Sequence, residues 1–517
     1  MVWGAMRGRP RDLPYDKTPL RGAHVDTKVR IAWLMRVSRM ASAQGGTGAA
    51  FCRLLAEHGY PIGVSALSRR ESGQEDIPPA MMSAYERVLG LPTGQLRGAA
   101  EAQRRALDGA PRPASVAPMT RLELADELGR IDDLINSGGM RGGDWLSLAE
   151  VMSQPGGPIL PPSIQQKWIY RLLTEMIRSV QGAYTARLEA LSNLMVDPLT
   201  RDTVRDAIRT HINEPGAQAV VDAVSVLGEV HDPEVLDEAL ELFVTKRGLV
   251  RRGAAAGLLQ PIVLGRLTSD EVQKVRRAIL AVVRKDPDDG AHSAFMLAQR
   301  ISLEMTREVV GVLGHNPGNK PAGAHIQTPA ALHEYLSAAE AVSGIHGDKM
   351  LERLLREALS DDFVERQHHA LMLLVVSPYR NCLAETAIQL VDGSADSVVR
   401  DAAGHMLGYL SGEQQTDHLV KLLEHRDPQL QIVGLFGLAH SCGVPATVDL
   451  GKLIANPKTT SAAIYAAGMS SHPCLDEAAV SESMEVRQKA HWWLRTGGGI
   501  REFEADAALQ PAASIAS

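Results

Sequence analysis

Four side chains close together in the sequence have the types and spacing to read a nucleic acid: Ser65, Ser68, Arg69 and Arg70, gathered on one short predicted helix. Hydroxyls and guanidinium forks near a helix N-terminus match the acceptors on the major-groove edge of guanine, and arginine also pairs with phosphate. Arg69 and Arg70 are the expected base readers. Lys28 and Arg30 on one preceding helix, with Arg53 on the next, are expected to clamp phosphates, contacts that position a protein without specifying sequence. Leu67 reads as core and Glu71 as an intramolecular partner. The competing reading is a protein-binding helical module whose arginine pair is simply solvated.

A second constellation has the types to hold a metal. His440-x-Cys442 and His472-x-Cys474 stand 32 residues apart, about one repeat by the spacing described below, so all four could meet at one zinc ion. The plainer reading is that equivalent helix ends carry similar small residues, and neither a metal nor any other cofactor is expected. His368-His369 projects to two faces of a helix, which does not favour a shared ligand. The glycines from Gly311 to Gly318 do not make a phosphate loop, because Asn319 separates Gly318 from Lys320 and Pro321 stands where a magnesium-binding hydroxyl is needed. With no nucleophile elbow, HExxH or dinucleotide fingerprint, an enzyme is not expected.

The elements that must carry these residues are helices. Val29, Ile31, Leu34, Met35 and Val37 recur at helical spacing between Lys28 and Met40, interleaved with arginines. Gly45-Gly46 breaks that helix and Thr47 caps the next, whose apolar face is Phe51, Leu54 and Leu55. Ser65 is the predicted cap of the helix through Glu71, and a further helix runs from Met81 to Leu89 after Ile77-Pro78-Pro79.

This run resembles the Cro/C1-type (XRE-like) helix-turn-helix domain, on Gly63-Val64-Ser65-Ala66-Leu67-Ser68-Arg69-Arg70-Glu71-Ser72-Gly73, then Ile77-Pro78, then Val88-Leu89-Gly90-Leu91. The resemblance covers about residues 28–97 and implies a recognition helix docked in the major groove of double-stranded DNA. Two departures stand out: the family's phosphate-contacting glutamine at the start of the second helix corresponds only to Gln44, which precedes Gly45-Gly46, and the turn from His58 to Ser65 is longer than the family's.

Residues 1–25, dense in Pro and Gly and without apolar period, read as a flexible basic arm; residues 26–100 as the helix-turn-helix domain; 101–120 as an Ala/Pro linker; 121–500 as a helical repeat domain; and 501–517 as a flexible tail. Within the repeat domain, Gly138 to Pro162 reads as a long surface loop around Trp145. From about residue 165 to 500 the chain repeats itself, as in Val250–Leu259, Val275–Val283, Val398–Gly408, Leu430–Ala439, Ser461–Met469 and Val486–Leu494. Asp-Pro pairs at Asp197, Asp232, Asp286 and Asp427 sit where one helix should stop and the next begin. These segments resemble HEAT or armadillo-like α-solenoids, scaffolds with many unrelated uses. Trp492-Trp493 is expected to cap the last repeat with one ring buried.

Composition fits this picture. Aromatic residues are only 4% of the 517, which suits close helix packing better than sheets, so the fold class expected is all-α. Four cysteines without a C-x-x-C pair, and no signal-peptide or membrane-spanning stretch, lead to a cytoplasmic protein with no membrane partner. The net charge of −7 conceals an asymmetry: residues 1–113 carry 17 Lys/Arg against 10 Asp/Glu, and the remainder 37 against 51. A basic head on an acidic body suits DNA contact by the head alone. The acidic body argues against a DNA-tracking glycosylase-like solenoid. The expected function is a sequence-specific, non-enzymatic transcriptional regulator. It would dimerise or sense a partner or small effector through its body, because one short helix contacts too few bases for strong specificity. The alternative is a non-enzymatic scaffold or adaptor whose head binds protein.

Overall fold

A computed structural model of the chain describes residues 12–20, 24–42, 46–108, 119–153, 158, 160–317, 329–360, 364–394 and 396–502. Among these residues every regular element is a helix, with one isolated β-bridge between Ser179 and Ile500. The fold is all-α.

The head comprises α1 (Thr27–Ala41), α2 (Gly48–Glu57), α3 (Val64–Glu71), α4 (Pro79–Leu89) and α5 (Gln95–Gln103). Asp26 caps α1 by accepting from the Val29 amide, and Thr47 caps α2 by accepting from Ala50. Pro79 opens α4 at the position where a missing N–H costs nothing. The cap of α3 is Gly63 and not Ser65, which lies one residue inside the helix. At Gly73, φ is +75° and a Cβ would lie 2.9 Å from the Val29 side chain, so only glycine lets the chain turn beneath α1.

The body begins with α6 (Arg121–Ser137), α7 (Gly142–Met152), α8 (Pro162–Met176), α9 (Gln181–Val196) and α10 (Arg201–Asn213). Farther along, Pro233–Thr245 packs on Gly248–Val263 and Ser269–Lys285 on Pro287–Ile301, the first three of these helices also touching the next but one. In the last third, Arg380–Gly393 packs on Ser397–Leu410 and Thr416–Leu423 on Pro428–Ala439. There Ser397–Leu410, Pro428–Ala439, Thr460–Met469 and Met484–Thr496 touch one after another. The self-similar segments fall inside these helices. Asp232 and Asp427 cap helices as their Asp-Pro pairs predict. Asp286 precedes a helix but gives its carboxylate to Arg247 and Arg251, and Asp197 closes a turn by accepting from the Leu199 amide.

Several expected boundaries move. Residues 138–162 do not form one long loop: α7 crosses them, with Trp145 fully buried and its indole N–H donating to Glu175 at 2.9 Å. Gly142, one of the glycines that suggest a loop, serves close packing instead, since a Cβ there would lie 2.6 Å from that of Ala186 on α9. Both Trp492 and Trp493 are buried, not one. The expected 101–120 linker is helical through a π-turn at Arg104–Asp108, and residues 109–118 lie outside the described residues. Arg105 there is buried against Glu189 at 2.8 Å and against Glu229. In the expected tail, Glu502 pairs with Arg187 at 2.7 Å, while 503–517 lie outside the described residues.

The largest revision concerns the arm and Arg30. Arg30 has no solvent exposure; its guanidinium forks onto Glu357 at 2.7 Å through each terminal nitrogen and reaches Asp16 at 3.0 Å. Arg353 joins them, donating to the Asp16 and Thr18 carbonyls at 2.8 and 2.6 Å and approaching Glu357 at 3.2 Å. Arg366 donates to the Leu20 carbonyl at 3.0 Å. Residues 12–20 are therefore held in place. Burial alone would raise the Asp16 pKa, but hydrogen bonds from Thr18 and the charges of Arg30 and Arg353 outweigh it and hold it below its ordinary value. Beside this cluster, Trp33 donates to Asp348 at 2.9 Å and stacks on Tyr379, with ring centroids 6.1 Å apart. Head and body thus share one interior.

Removing one partner from a buried ionic cluster strands the others. Glu357→Leu should lower stability by about 3–5 kcal/mol and open residues 12–20 to protease, whereas Glu352→Gln, in an exposed pair with Arg356, should change it by under about 0.5 kcal/mol. Thermal melting with limited proteolysis reads both; equal, small effects would show that the cluster does not hold the arm.

Candidate nucleic-acid interface

The core of the head is built around α3. Leu67 is buried, and Glu71 accepts from Nε and Nη2 of Arg39 on α1, at 2.6 and 2.7 Å. The Tyr85 hydroxyl of α4 donates to the same carboxylate at 2.7 Å, and Phe51 of α2 meets the Tyr85 ring edge-on at 4.7 Å. Arg39 also lies over Phe51, 5.8 Å from the ring centroid. Glu71 thus ties α1, α3 and α4 together, and burial, followed by its negative charge, pushes the Tyr85 phenol well above its ordinary pKa. The partner role expected for Glu71 is present.

The outer side of α3 carries Ser65, which is exposed, Ser68, which is half-buried, and Arg69, whose side chain keeps 46% of its exposure. Arg69 donates to the Ser65 hydroxyl at 2.8 Å and also to Glu75. Arg70 lies on the adjoining side: it donates to the Tyr60 hydroxyl at 2.8 Å, lies 3.4 Å from the Met81 sulfur and approaches the same Glu75 carboxylate at 3.8 Å. Arg70 thus braces the turn between α2 and α3, and less of its side chain is exposed than of Arg69. Arg53 is exposed on α2 and Lys28 half-buried on α1; neither makes an ion pair among the described residues. Arg30, buried against Glu357, is removed from any phosphate.

The structure therefore brings Ser65, Ser68 and Arg69 together, with Arg53 on the adjoining helix and Arg70 beside them against Tyr60 and Glu75, and separates Arg30 from them. Sequence reading missed Glu75 and Tyr60. Neither has a helical spacing to its arginine, because the turn at Gly73 comes between Arg69 and Glu75, Tyr60 precedes the start of α3 at Gly63, and i to i+4 patterns do not cross turns.

The four candidate zinc ligands are not assembled. His440 spends one ring nitrogen on the Gly408 carbonyl at 2.8 Å and the other on the Tyr465 hydroxyl at 2.9 Å. His472 accepts from the Cys474 amide at 3.2 Å, and Cys442 is exposed. Among the described residues no three His, Cys, Asp or Glu side chains converge as metal ligands. Gly318 to Pro321 lie outside the described residues. No helix among the described residues is long and apolar enough to cross a membrane. No protein-family model matches the chain, and no curated protein matches its sequence.

Glu71→Gln should destabilise the head by about 2–3 kcal/mol, because Arg39 would keep its charge in a half-buried site without an anion. Glu75→Gln, at the exposed end of the Arg69 pair, should change stability by under about 0.5 kcal/mol. Chemical denaturation of both variants checks this, and equal losses would show that Glu71 does not organise the head.

Proposed function

We propose that the chain is a sequence-specific DNA-binding regulator whose α3 enters the major groove, with the body serving as a platform for a partner, an effector or a second copy. The observation that supports this most is the two-sidedness of α3: Leu67 and Glu71 anchor it inward while Ser65, Ser68 and Arg69 stand outward. In this reading Arg69 leaves Glu75 to fork onto a guanine, Ser65 and Ser68 contact base edges or phosphates, and Arg53 and Lys28 meet the backbone. The resemblance to XRE-like domains points the same way, as does the net basic charge of residues 1–113. A second reading, a protein-binding scaffold, draws support from how many of the head's arginines are committed internally: Arg30, Arg39 and Arg70 all have protein partners.

Fluorescence anisotropy of the full chain on duplex DNA across a salt series separates the two. The duplexes would be the protein's own upstream region and a scrambled control. Arg53→Ala should weaken binding to every sequence and reduce the salt slope by about 1, whereas Arg69→Ala should cost about 1–3 kcal/mol on the preferred site only. Glu75→Gln should tighten binding, since it frees Arg69 and removes a charge that repels phosphate. Absence of any sequence preference in the full chain would overturn the regulator and leave the scaffold.

A further inference from the structure

In a chain with so few aromatic residues, an unusual share of them lies along one line of the body. Tyr184 of α9 meets His368 edge-on at 6.4 Å, and His368 meets Tyr409 at 6.3 Å. Through the hydrogen bond from His440 to the Gly408 carbonyl the line passes to the next helix, where His440, Phe436 and Tyr465 lie 5.6–6.0 Å from one another. Tyr465 then meets Trp493 at 5.8 Å. These rings belong to successive touching helices, one after another, yet they are not core. Tyr184, His368, Tyr409, His440 and Tyr465 are half-buried and Phe436 is exposed, so solvent reaches each of them.

Asp222, on the short helix Val220–Ser225, lies near enough to this wall for its charge to act on three of the wall's phenols. It too is half-buried, and its carboxylate makes no hydrogen bond or ion pair among the described residues. Its charge is felt at three phenols: burial first and Asp222 second raise the pKa of Tyr184, of Tyr465 and of Tyr409, the last to about 12. The other charges nearby are already committed. Glu229 pairs with Arg105, Arg501 donates to the Ala439, Ser441 and Met469 carbonyls, and Arg380 donates to Gln181. Burial holds His368 down to about 3 and His440 below its ordinary value, so neither ring carries charge at neutral pH.

A lone carboxylate beside electron-rich ring faces is the arrangement that recognises an organic cation: the rings attract positive charge and exclude water, and the anion neutralises it. We infer that the wall formed by Tyr184, Tyr409, Phe436 and Tyr465 with Asp222 is a binding site for a small organic cation of the quaternary-ammonium or protonated-amine class. The site is separate from α3 and stands whether or not the head binds DNA.

Choline and its uncharged carbon isostere 3,3-dimethyl-1-butanol are the probes, titrated calorimetrically into the full chain at roughly pH 8, where Asp222 is ionised. Saturable binding of one choline per chain is expected, with the isostere about ten-fold weaker or worse, and Asp222→Asn should weaken choline by a similar factor. The variant should fold. Burial raises the Asp222 pKa from 3.8 to about 6, so the native form holds a proton that the unfolded chain has released. Stability contributed by this group is present at low pH and lost as pH rises through about 6, which makes Asp222→Asn melt higher than the parent near pH 8 and equally near pH 4. Equal affinity for choline and isostere, unchanged choline binding by Asp222→Asn, or no saturable choline binding would each overturn the assignment.

Discussion

Arg30 carries a permanent positive charge into a place that water does not reach, and most of the molecule is arranged around that fact. A guanidinium there is tolerable only with anions held at hydrogen-bonding distance and its donors matched. Glu357 supplies a planar fork and Asp16 a second acceptor, and those two carboxylates come from segments more than three hundred positions apart. Satisfying one side chain of α1 therefore brings together the N-terminal segment, the head and a body helix. Arg353 and Arg366 extend the network to the backbone of residues 16–20, so the segment is fixed by its carbonyls as well as by its one acid. Trp33 and Tyr379 on Asp348 repeat the device a turn away.

This arrangement changes what the basic character of the head means. Between residues 20 and 70 the sequence has eight Lys/Arg against two acids, which looks like an electrostatic footprint for a polyanion. In the fold, Arg30 faces Glu357, Arg39 faces Glu71 and Arg70 braces Tyr60, so the cations left near α3 are few and Arg69 already has an acid beside it. Charge counted along a chain measures neither exposure nor partners from distant segments. A reader of DNA built this way would depend on a small number of specific contacts more than on a broad field.

Local rules were legible where the physics is local. Asp26, Thr47 and Pro79 open their helices as residue type predicts, Glu71 turns inward, and the self-similar segments lie inside helices of the body. What was hidden depends on contacts between remote residues. Nothing in the neighbourhood of Arg30 reveals an acid more than three hundred positions away, and nothing in the string of glycines around Trp145 says whether they loosen the chain or let two helices approach. Ser65 illustrates the margin: with Gly63 two residues earlier, both could cap, and the helix starts at the earlier one, leaving the serine hydroxyl for Arg69. The aromatic line left no periodic signal, because its members come from different helices at different offsets.

The C-terminal end also has a bearing on how the chain is made. Ile500 exchanges backbone hydrogen bonds with Arg178 and Val180, Glu502 reaches Arg187, and Trp492 and Arg495 both donate to Glu214 beyond α10. An open array of repeats can consolidate each unit as it leaves the ribosome, since each needs only its neighbour. Here the Arg178 guanidinium waits for the Gly498 carbonyl, 320 positions later, and the Gly142 amide for Glu502. The middle of the body stays unfinished until residues 498–502 have been translated, so its closure is a late step of high contact order. Loss of residues 498–502 would thus be felt first around α8 and α9.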